Sequence, residues 1–159
     1  MKHALPCLIA LIAIILLSFA ALADSDIRTP SDKESRAAYC LGVLKDWRNS
    51  SMSLRYHDFD KAAGEQYEEK EKLKDDIKRL ESYVLPRQRY VDIHSLHLAE
   101  ARGRKDLKTL QNSDLFFDCS NFCALQENRD KPDCKQDCVE KDDLYKRVTS
   151  CRDLDFLPY

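Results

Sequence analysis

Cysteines are the residues of this 159-residue chain whose number and spacing could do chemistry. There are seven; Cys7 lies in an apolar N-terminal segment, and six follow that segment. An even number of cysteines in an exported chain is typical of a disulfide framework, because compartments outside the cytosol keep such bridges oxidised. We therefore expect three disulfides.

Four of these cysteines form a twin C-x3-C motif, made of Cys119, Cys123, Cys134 and Cys138. Residues four apart in a helix share a face, with β-carbons about 5–6 Å apart. A disulfide needs about 3.8 Å, so a bridge within either pair is disfavoured. If the two helices are antiparallel, their cysteine faces meet. We therefore predict nested bridges, Cys123 to Cys134 and Cys119 to Cys138.

The other two cysteines, Cys40 and Cys151, lie near the two ends of the chain that follows the apolar segment. A bridge between them would tie the first helix to the C-terminal tail. Zinc is the alternative ligand for the twin motif. Tetrathiolate zinc sites usually use C-x2-C pairs, and an oxidising compartment removes thiolates, so disulfides are the prediction.

The twin C-x3-C hairpin from Cys119 to Cys138 resembles two families. One is the small Tim chaperones of the mitochondrial intermembrane space; the other is the plant α-hairpinins, which include protease-inhibitory and antimicrobial peptides. The resemblance covers about an eighth of the chain, and cysteine spacing is its motif. It implies that this spacing makes a stapled helical hairpin. The export signal departs from the chaperones, and the chain is much longer than the hairpinins.

The N-terminus has the three parts of a cleavable signal peptide. Lys2 gives a basic start, Leu8 to Ala21 form an apolar core, and Ala21-Leu22-Ala23 is a processing site before Asp24. We expect cleavage there and export to the periplasm or the cell exterior. The apolar run is also about long enough for a membrane anchor, so retention as an anchor is the alternative.

Cleavage would divide the chain into a signal peptide at 1–23, a flexible leader at 24–30 and a single domain at 31–159. We expect no stable membrane insertion once the signal has gone. Basic and acidic residues number 26 and 28 in the full chain, for a net charge of −2. A nucleic-acid-binding protein normally shows a clear basic excess, so we expect no nucleic-acid partner.

Composition also predicts the fold class. Glycine occurs only three times, and the prolines of the domain lie at the boundaries of periodic runs, which favours helices over β-turns. We predict an all-α protein: a helical bundle with a long charged antiparallel helical hairpin and a short disulfide-stapled twin C-x3-C helical hairpin.

Apolar periodicity places the long helices. The first begins at a capping box formed by Ser31 and Glu34. The second is predicted from Asp58 to Tyr83, and the third begins near Arg87, frays at Gly103 and resumes. The second has an acidic excess and the third a basic excess, which favours antiparallel packing of one on the other, although exposed ion pairs contribute little each.

Two shorter helices, Asp114 to Gln126 and Pro132 to Val148, are predicted to carry the cysteine hairpin. Proline suits the first turn of a helix, which fits the start of the second. Trp47, Phe116, Phe117 and Phe122 are expected to form a core beneath the hairpin. The tail Phe156-Leu157-Pro158-Tyr159 is predicted to be core as well, with an exposed aromatic patch as the alternative.

Two histidines, His94 and His97, are the compact candidates for metal ligands, with Asp92 and Glu100 close in sequence. Histidines at i and i+3 share a helix face and can chelate one ion, while Glu100 lies further around the helix. The alternative is that both histidines are packing or solvated residues. We predict no other cofactor.

Catalytic motifs are absent from the sequence: it has no G-x-S-x-G, no H-E-x-x-H and no phosphate-binding glycine loop. We predict no enzymatic activity. The predicted function is that of a non-enzymatic exported binding or scaffold protein, whose helical arms bind a protein partner or a second copy. One alternative is a secreted inhibitor or toxin-like effector presenting the 124–133 loop, with Arg129 or Lys131 as the contact. Another is a metal-binding protein using His94 and His97.

Overall fold

The computed structural model of this chain describes residues 27–50, 63–129 and 131–158. The predicted signal peptide, residues 24–26 of the leader and the predicted start of the second helix at Asp58 lie outside the described residues. Among the described residues, no helix is long and apolar enough to cross a bilayer.

Helices account for the regular structure in the described part of the chain. They are α1 (Asp32–Asn49), α2 (Ala63–Val84), α3 (Ile93–Gln111), α4 (Leu115–Ala124), α5 (Cys134–Val139) and α6 (Asp143–Thr149). Short 3-10 turns, Leu85–Arg89 and Ser150–Arg152, follow α2 and α6. The only β-pairing among the described residues is an isolated parallel bridge between Arg28 and Val91. The all-α fold class is therefore confirmed.

The first helix, α1, begins at the predicted capping box. The Ser31 hydroxyl accepts a hydrogen bond from the Glu34 amide at 3.3 Å, and the Glu34 carboxylate accepts one from the Ser31 amide at 2.9 Å. Every residue from Ala37 to Leu44 is buried. A helix that is buried all round belongs at the centre of a bundle, so α1 is the helix around which the others pack.

This central position of α1 changes how the long helices meet. α1 packs extensively on α3 and also on α2, while direct contact between α2 and α3 is slight. The opposite net charges of α2 and α3 predicted that these two helices pack on each other. Burial of the apolar surface of α1 on both sides outweighs weak exposed ion pairs. Lys45 of α1 lies near both of these helices: its ammonium is 2.9 Å from Glu81 of α2 and 4.0 Å from Glu100 of α3.

The start of α3 also differs from the sequence prediction. α3 begins at Ile93 rather than near Arg87, because Asp92 caps it by accepting a hydrogen bond from the His94 amide at 3.0 Å. α3 continues without a break through Gly103. Gly103 is buried against α1, so this glycine is a packing residue rather than a point of fraying.

The second cysteine helix is two helices, α5 and α6, instead of one. Asp133 has a left-handed backbone with φ of 58°, which places Pro132 before α5 and outside it. The carboxylate of Asp142 then accepts a hydrogen bond from the Tyr145 amide at 2.7 Å and begins α6. The interruption turns α6 toward α3, which it contacts.

Three disulfides join the helices. They link Cys119 to Cys138, Cys123 to Cys134, and Cys40 to Cys151, which are the pairs that the sequence analysis proposed. The first two bridges join α4 to α5. The disulfide-stapled helical hairpin predicted as part of the fold is therefore confirmed. The third ties α1 to the C-terminal segment, where Leu154 and Leu157 are buried in the core. Tyr159 lies outside the described residues.

Candidate interaction surfaces

The outer side of α4 exposes large apolar side chains. Phe117, Phe122 and Leu125 are 67%, 47% and 51% exposed, and we call these three residues the hairpin face. The inward side of α4 carries the buried Cys119 and Cys123. Phe117 lies opposite them, Phe122 lies on the flank about 140° around the helix from Phe117, and Leu125 caps the end of the helix. Successive helical residues are about 100° apart, so Phe117 cannot share the inward side with those cysteines. The prediction that Phe117 and Phe122 lie in the core was wrong.

Phe116, the neighbour of Phe117, does pack inward. Its ring meets Tyr145 of α6 edge-on, with ring centroids 6.1 Å apart and an interplanar angle of 75°. Edge-to-face contacts are a favoured arrangement of aromatic rings. This contact joins the stapled hairpin to the part of the molecule that packs on α3.

The loop between α4 and α5 is closed on itself. Asn128 is buried; its amide group donates to the Phe122 carbonyl at 3.1 Å, and its side-chain oxygen accepts from the Lys131 ammonium at 2.6 Å. The backbone amides of Asn128 and Arg129 both donate to the Leu125 carbonyl at 2.9 Å. Arg129 and Lys131 are exposed, as an inhibitor loop requires, but the backbone at Arg129 is a turn.

The solvent-facing side of α3 is basic. In the described stretch 85–113, every exposed charged side chain is a cation: Arg89, Arg102, Arg104, Lys105 and Lys108. Three acidic residues of the same stretch, Asp92, Glu100 and Asp106, are only partly exposed. The basic excess that the sequence shows is therefore presented to solvent.

Each of those three acidic residues has a partner within the protein. Asp92 accepts from the Ser95 hydroxyl at 2.6 Å, which lowers the pKa of Asp92. Glu100 accepts from Arg104 at 3.0 Å. Asp106 accepts from the Tyr39 hydroxyl at 3.0 Å and lies 3.1 Å from the Arg147 guanidinium. Burial, reinforced by the Asp106 charge, raises the pKa of Tyr39 to about 12.

Exposed apolar residues lie on the same side of α3. We define the α3 face as Tyr90, Ile93 and Leu98, which are exposed, together with the cations Arg104, Lys105 and Lys108. The three cations line a shallow surface depression of about 710 Å³, which Thr109, Asn112 and Ser113 also border. The N-terminal half of the face thus combines these apolar side chains with the exposed His94 and His97, and its C-terminal half is cationic.

Asp92 and Glu100 do not join the predicted metal ligands His94 and His97. His94 and His97 are both exposed on α3, whereas Asp92 caps that helix and Glu100 pairs with Arg104. Across the described ranges, no group of three or more His, Cys, Asp and Glu side chains is placed to hold a metal ion. The two histidines therefore stand as an i, i+3 pair without a third protein ligand from that part of the chain.

Glu34 is a buried carboxylate whose role goes beyond the capping box. Arg28 donates two hydrogen bonds to it, at 2.7 and 2.6 Å, and Arg87 lies 3.5 Å away. The Arg28 hydrogen bonds lower the pKa of Glu34 to about 2. Arg28 also exchanges backbone hydrogen bonds with Tyr90 and Asp92. The end of the predicted flexible leader is therefore bound to the start of α3, a contact that local sequence patterns did not predict.

Comparison with known proteins adds no functional assignment. No protein-family model, no curated protein and no solved structure matches this chain. The geometry of these surfaces is therefore the basis for the proposals that follow.

Proposed function

We propose that this protein is a non-enzymatic exported binding protein that presents the hairpin face to a protein partner. The observation that supports the proposal is the exposure of Phe117, Phe122 and Leu125 on a helix held by two disulfides. The bridges keep the cysteine side of α4 inward, so a local rotation cannot bury these side chains. Aromatic residues are enriched in protein interfaces, and a rigid surface loses less entropy on binding.

Charge near the hairpin face indicates the chemistry of the partner. Asp118 and Glu127 are exposed beside the apolar side chains. A complementary partner offers an apolar pocket for the two phenylalanine rings and a cation near Asp118. Such a surface works in the same oxidising compartment that the three intramolecular disulfides indicate; whether this is the periplasm or the cell exterior is decided by fractionating the source cells.

A comparative capture experiment tests this function. Oxidised protein with intact disulfides is immobilised and exposed to an extract of its own compartment. We expect a partner to be retained by the wild type and lost by Phe117→Ser/Phe122→Ser, because the substitution removes the apolar anchors. Leu85→Ser, a control at a similarly exposed residue away from α4, should retain it. Circular dichroism checks that all three proteins are folded.

Two results would count against the proposal. One is a partner that all three proteins retain equally, which would place its binding elsewhere on the molecule. The other is a wild type that is monomeric by sedimentation and retains nothing. A wild type that sediments as a dimer, with Phe117→Ser/Phe122→Ser a monomer, would identify a second copy as the partner.

An inhibitor role is the second candidate, supported by the exposure of Arg129 on a loop that Cys123–Cys134 closes. The protein should then inhibit a trypsin-like protease. If Arg129 is the contact residue, Arg129→Ala abolishes the inhibition and Lys131→Ala leaves it intact. If Lys131 is the contact residue, the two variants exchange these effects. Rapid cleavage after either residue would exclude the role. The turn at Arg129 argues against it, since proteases bind extended chains.

Metal binding through His94 and His97 is the third proposal, and their shared exposed face supports it. Titration with copper or zinc should give a saturable site that His94→Ala/His97→Ala removes. Equal binding by the wild type and the variant would exclude it.

A further inference from the structure

We propose that the α3 face binds peripherally to a lipid bilayer rich in anionic headgroups, with α3 lying along the membrane surface. This binding would use a different surface from the protein partner proposed for the hairpin face. It also differs from insertion, for which the described helices are unsuited.

The α3 face carries exposed positive charges. The whole chain has a net charge of −2, yet the exposed charges of the described stretch 85–113 are all cationic. Glu100 pairs with Arg104 at 3.0 Å and Asp46 of α1 lies 3.9 Å from Lys108, so the charges of these two cations are partly offset. The exposed cations of this stretch still outnumber its acidic side chains, which are only partly exposed. A cationic patch on an acidic protein directs one side of the molecule toward anionic surfaces.

Apolar side chains accompany the cations of the α3 face. Tyr90, Ile93 and Leu98 project from the N-terminal half of the α3 face. In a parallel bridge, residues that flank the paired ones point away from them. Val91 is buried, so Ile27 and Tyr90, which flank the Arg28–Val91 bridge, both point outward. Apolar residues beside Lys and Arg characterise helices that lie in the membrane interface, where tyrosine is enriched.

Arg104, Lys105 and Lys108 line the depression in the C-terminal half of the α3 face, and Asn112 borders it with a side-chain amide. The Thr109 hydroxyl donates to the Lys105 carbonyl at 2.9 Å. Cations and an amide donor around a shallow depression suit a phosphate headgroup. At 1.5 Å per residue, Ile93 and Lys108 are about 22 Å apart along the helix axis. A helix lying flat in the interface can therefore insert Ile93 and Leu98 between lipids while its cations contact phosphates further along the helix.

The N-terminal apolar run favours a bilayer over a soluble acidic partner. Leu8–Ala21 ends six positions before Ile27, and six extended residues span at most about 22 Å. Before the signal is cleaved, or where it is kept as an anchor, Ile27 is therefore held close to the bilayer. Ile27 and Tyr90 are neighbours at the N-terminal end of the α3 face, which therefore reaches the lipid surface first.

Vesicle co-sedimentation tests the proposal with the oxidised, exported protein. We expect binding to vesicles of phosphatidylcholine containing phosphatidylglycerol, little binding to phosphatidylcholine alone, and weaker binding as salt is raised. Lys105→Glu/Lys108→Glu should weaken binding at least about tenfold, because each cation near an anionic surface contributes to attraction. Ile93→Ser/Leu98→Ser should also weaken it, through the loss of apolar insertion.

Matched controls separate this face from general charge and hydrophobicity. Lys74→Glu/Lys78→Glu makes the same charge change on exposed α2 positions and should leave vesicle binding unchanged. Phe117→Ser/Phe122→Ser removes two exposed apolar side chains outside the α3 face, as a control for Ile93→Ser/Leu98→Ser, and should also leave vesicle binding unchanged. The proposal is overturned if anionic vesicles do not bind, or if the α2 variant loses as much binding as the α3 variant. A third result would also overturn the proposal: soluble polyglutamate binds as tightly as vesicles, and Ile93→Ser/Leu98→Ser does not change vesicle binding. That result indicates an acidic protein partner.

Discussion

Gly103 of α3 lies so close to Tyr39 of α1 that a β-carbon built on Gly103 would stand 2.1 Å from the Tyr39 carbonyl oxygen. The contact is reciprocal, because a β-carbon on Gly42 would stand 2.0 Å from the Glu100 carbonyl oxygen. The two helices therefore meet backbone to backbone at two glycines. Helix backbones at this separation can also form weak Cα–H···O contacts. This contact sets the position of α3, and hence of the α3 face, relative to the core.

Alanine at either glycine should destabilise the protein. Added atoms in a packed core cost roughly 1–3 kcal/mol, and here the helix backbones themselves must separate. We expect Gly42→Ala or Gly103→Ala to lower the free energy of unfolding by about 3 kcal/mol in urea, despite the helix-propensity gain of about 1 kcal/mol. The exposed Arg102→Ala should change it little. An increase in stability at Gly103→Ala would show that the helices do not touch there.

The three disulfides should differ in their contribution to stability. Cys40–Cys151 spans a sequence separation of 111, whereas Cys123–Cys134 spans 11. In the chain-entropy account, a disulfide that closes a longer loop adds more to the free energy of unfolding. We expect about 4–5 kcal/mol from Cys40–Cys151 and about 3 kcal/mol or less from Cys123–Cys134. Denaturation of the oxidised double-alanine variants measures both. A larger loss for Cys123→Ala/Cys134→Ala would contradict the prediction.

Acid should weaken the protein through Glu34. Its pKa is lowered from 4.5 to about 2, chiefly by the Arg28 hydrogen bonds, so the folded state binds this proton less readily than the unfolded state. The stabilisation is complete above pH 4.5 and is lost as the pH falls toward 2. Glu34→Gln should be less stable at pH 7 and should lose less stability over this pH interval.

Unfolding in urea at several pH values checks the Glu34 prediction. Glu71→Gln, at an exposed acidic residue of α2, is the control and should follow the wild-type pH dependence. A Glu34→Gln curve as steep as that of the wild type would assign the acid sensitivity to other carboxylates.

The cap of α6 should contribute measurably to thermal stability. Asp142 accepts a hydrogen bond from the Tyr145 amide at 2.7 Å, and removing such a cap costs about 1 kcal/mol. We expect Asp142→Ala to lower the melting temperature. Asp142→Asn keeps a capping oxygen and should lower it much less. Equal losses in both variants would indicate that the carboxylate charge matters more than the cap.

Local patterns predicted the features that depend on short stretches of chain. Ser31 and Glu34 identified the start of α1, because a capping box is complete within four residues. The apolar stripes predicted helices, and C-x3-C spacing led to the cysteine pairs, because residues four apart share a helix face. The predictions failed where contacts with distant residues decide the outcome, as at Gly103, which packs on Tyr39, and at Phe117. The start of α3 was misplaced because the local cap at Asp92 was not recognised.

The sequence by itself determined that this chain is helical and that its cysteines can staple α4 to α5. Both follow from periodicity and spacing along one helix. Only the tertiary structure decided that α1 lies between α2 and α3, that Arg28 reaches Glu34, and that the cations of α3 face solvent. These outcomes depend on which apolar surfaces meet and how much area each pairing buries, and a linear pattern of residues does not rank those pairings.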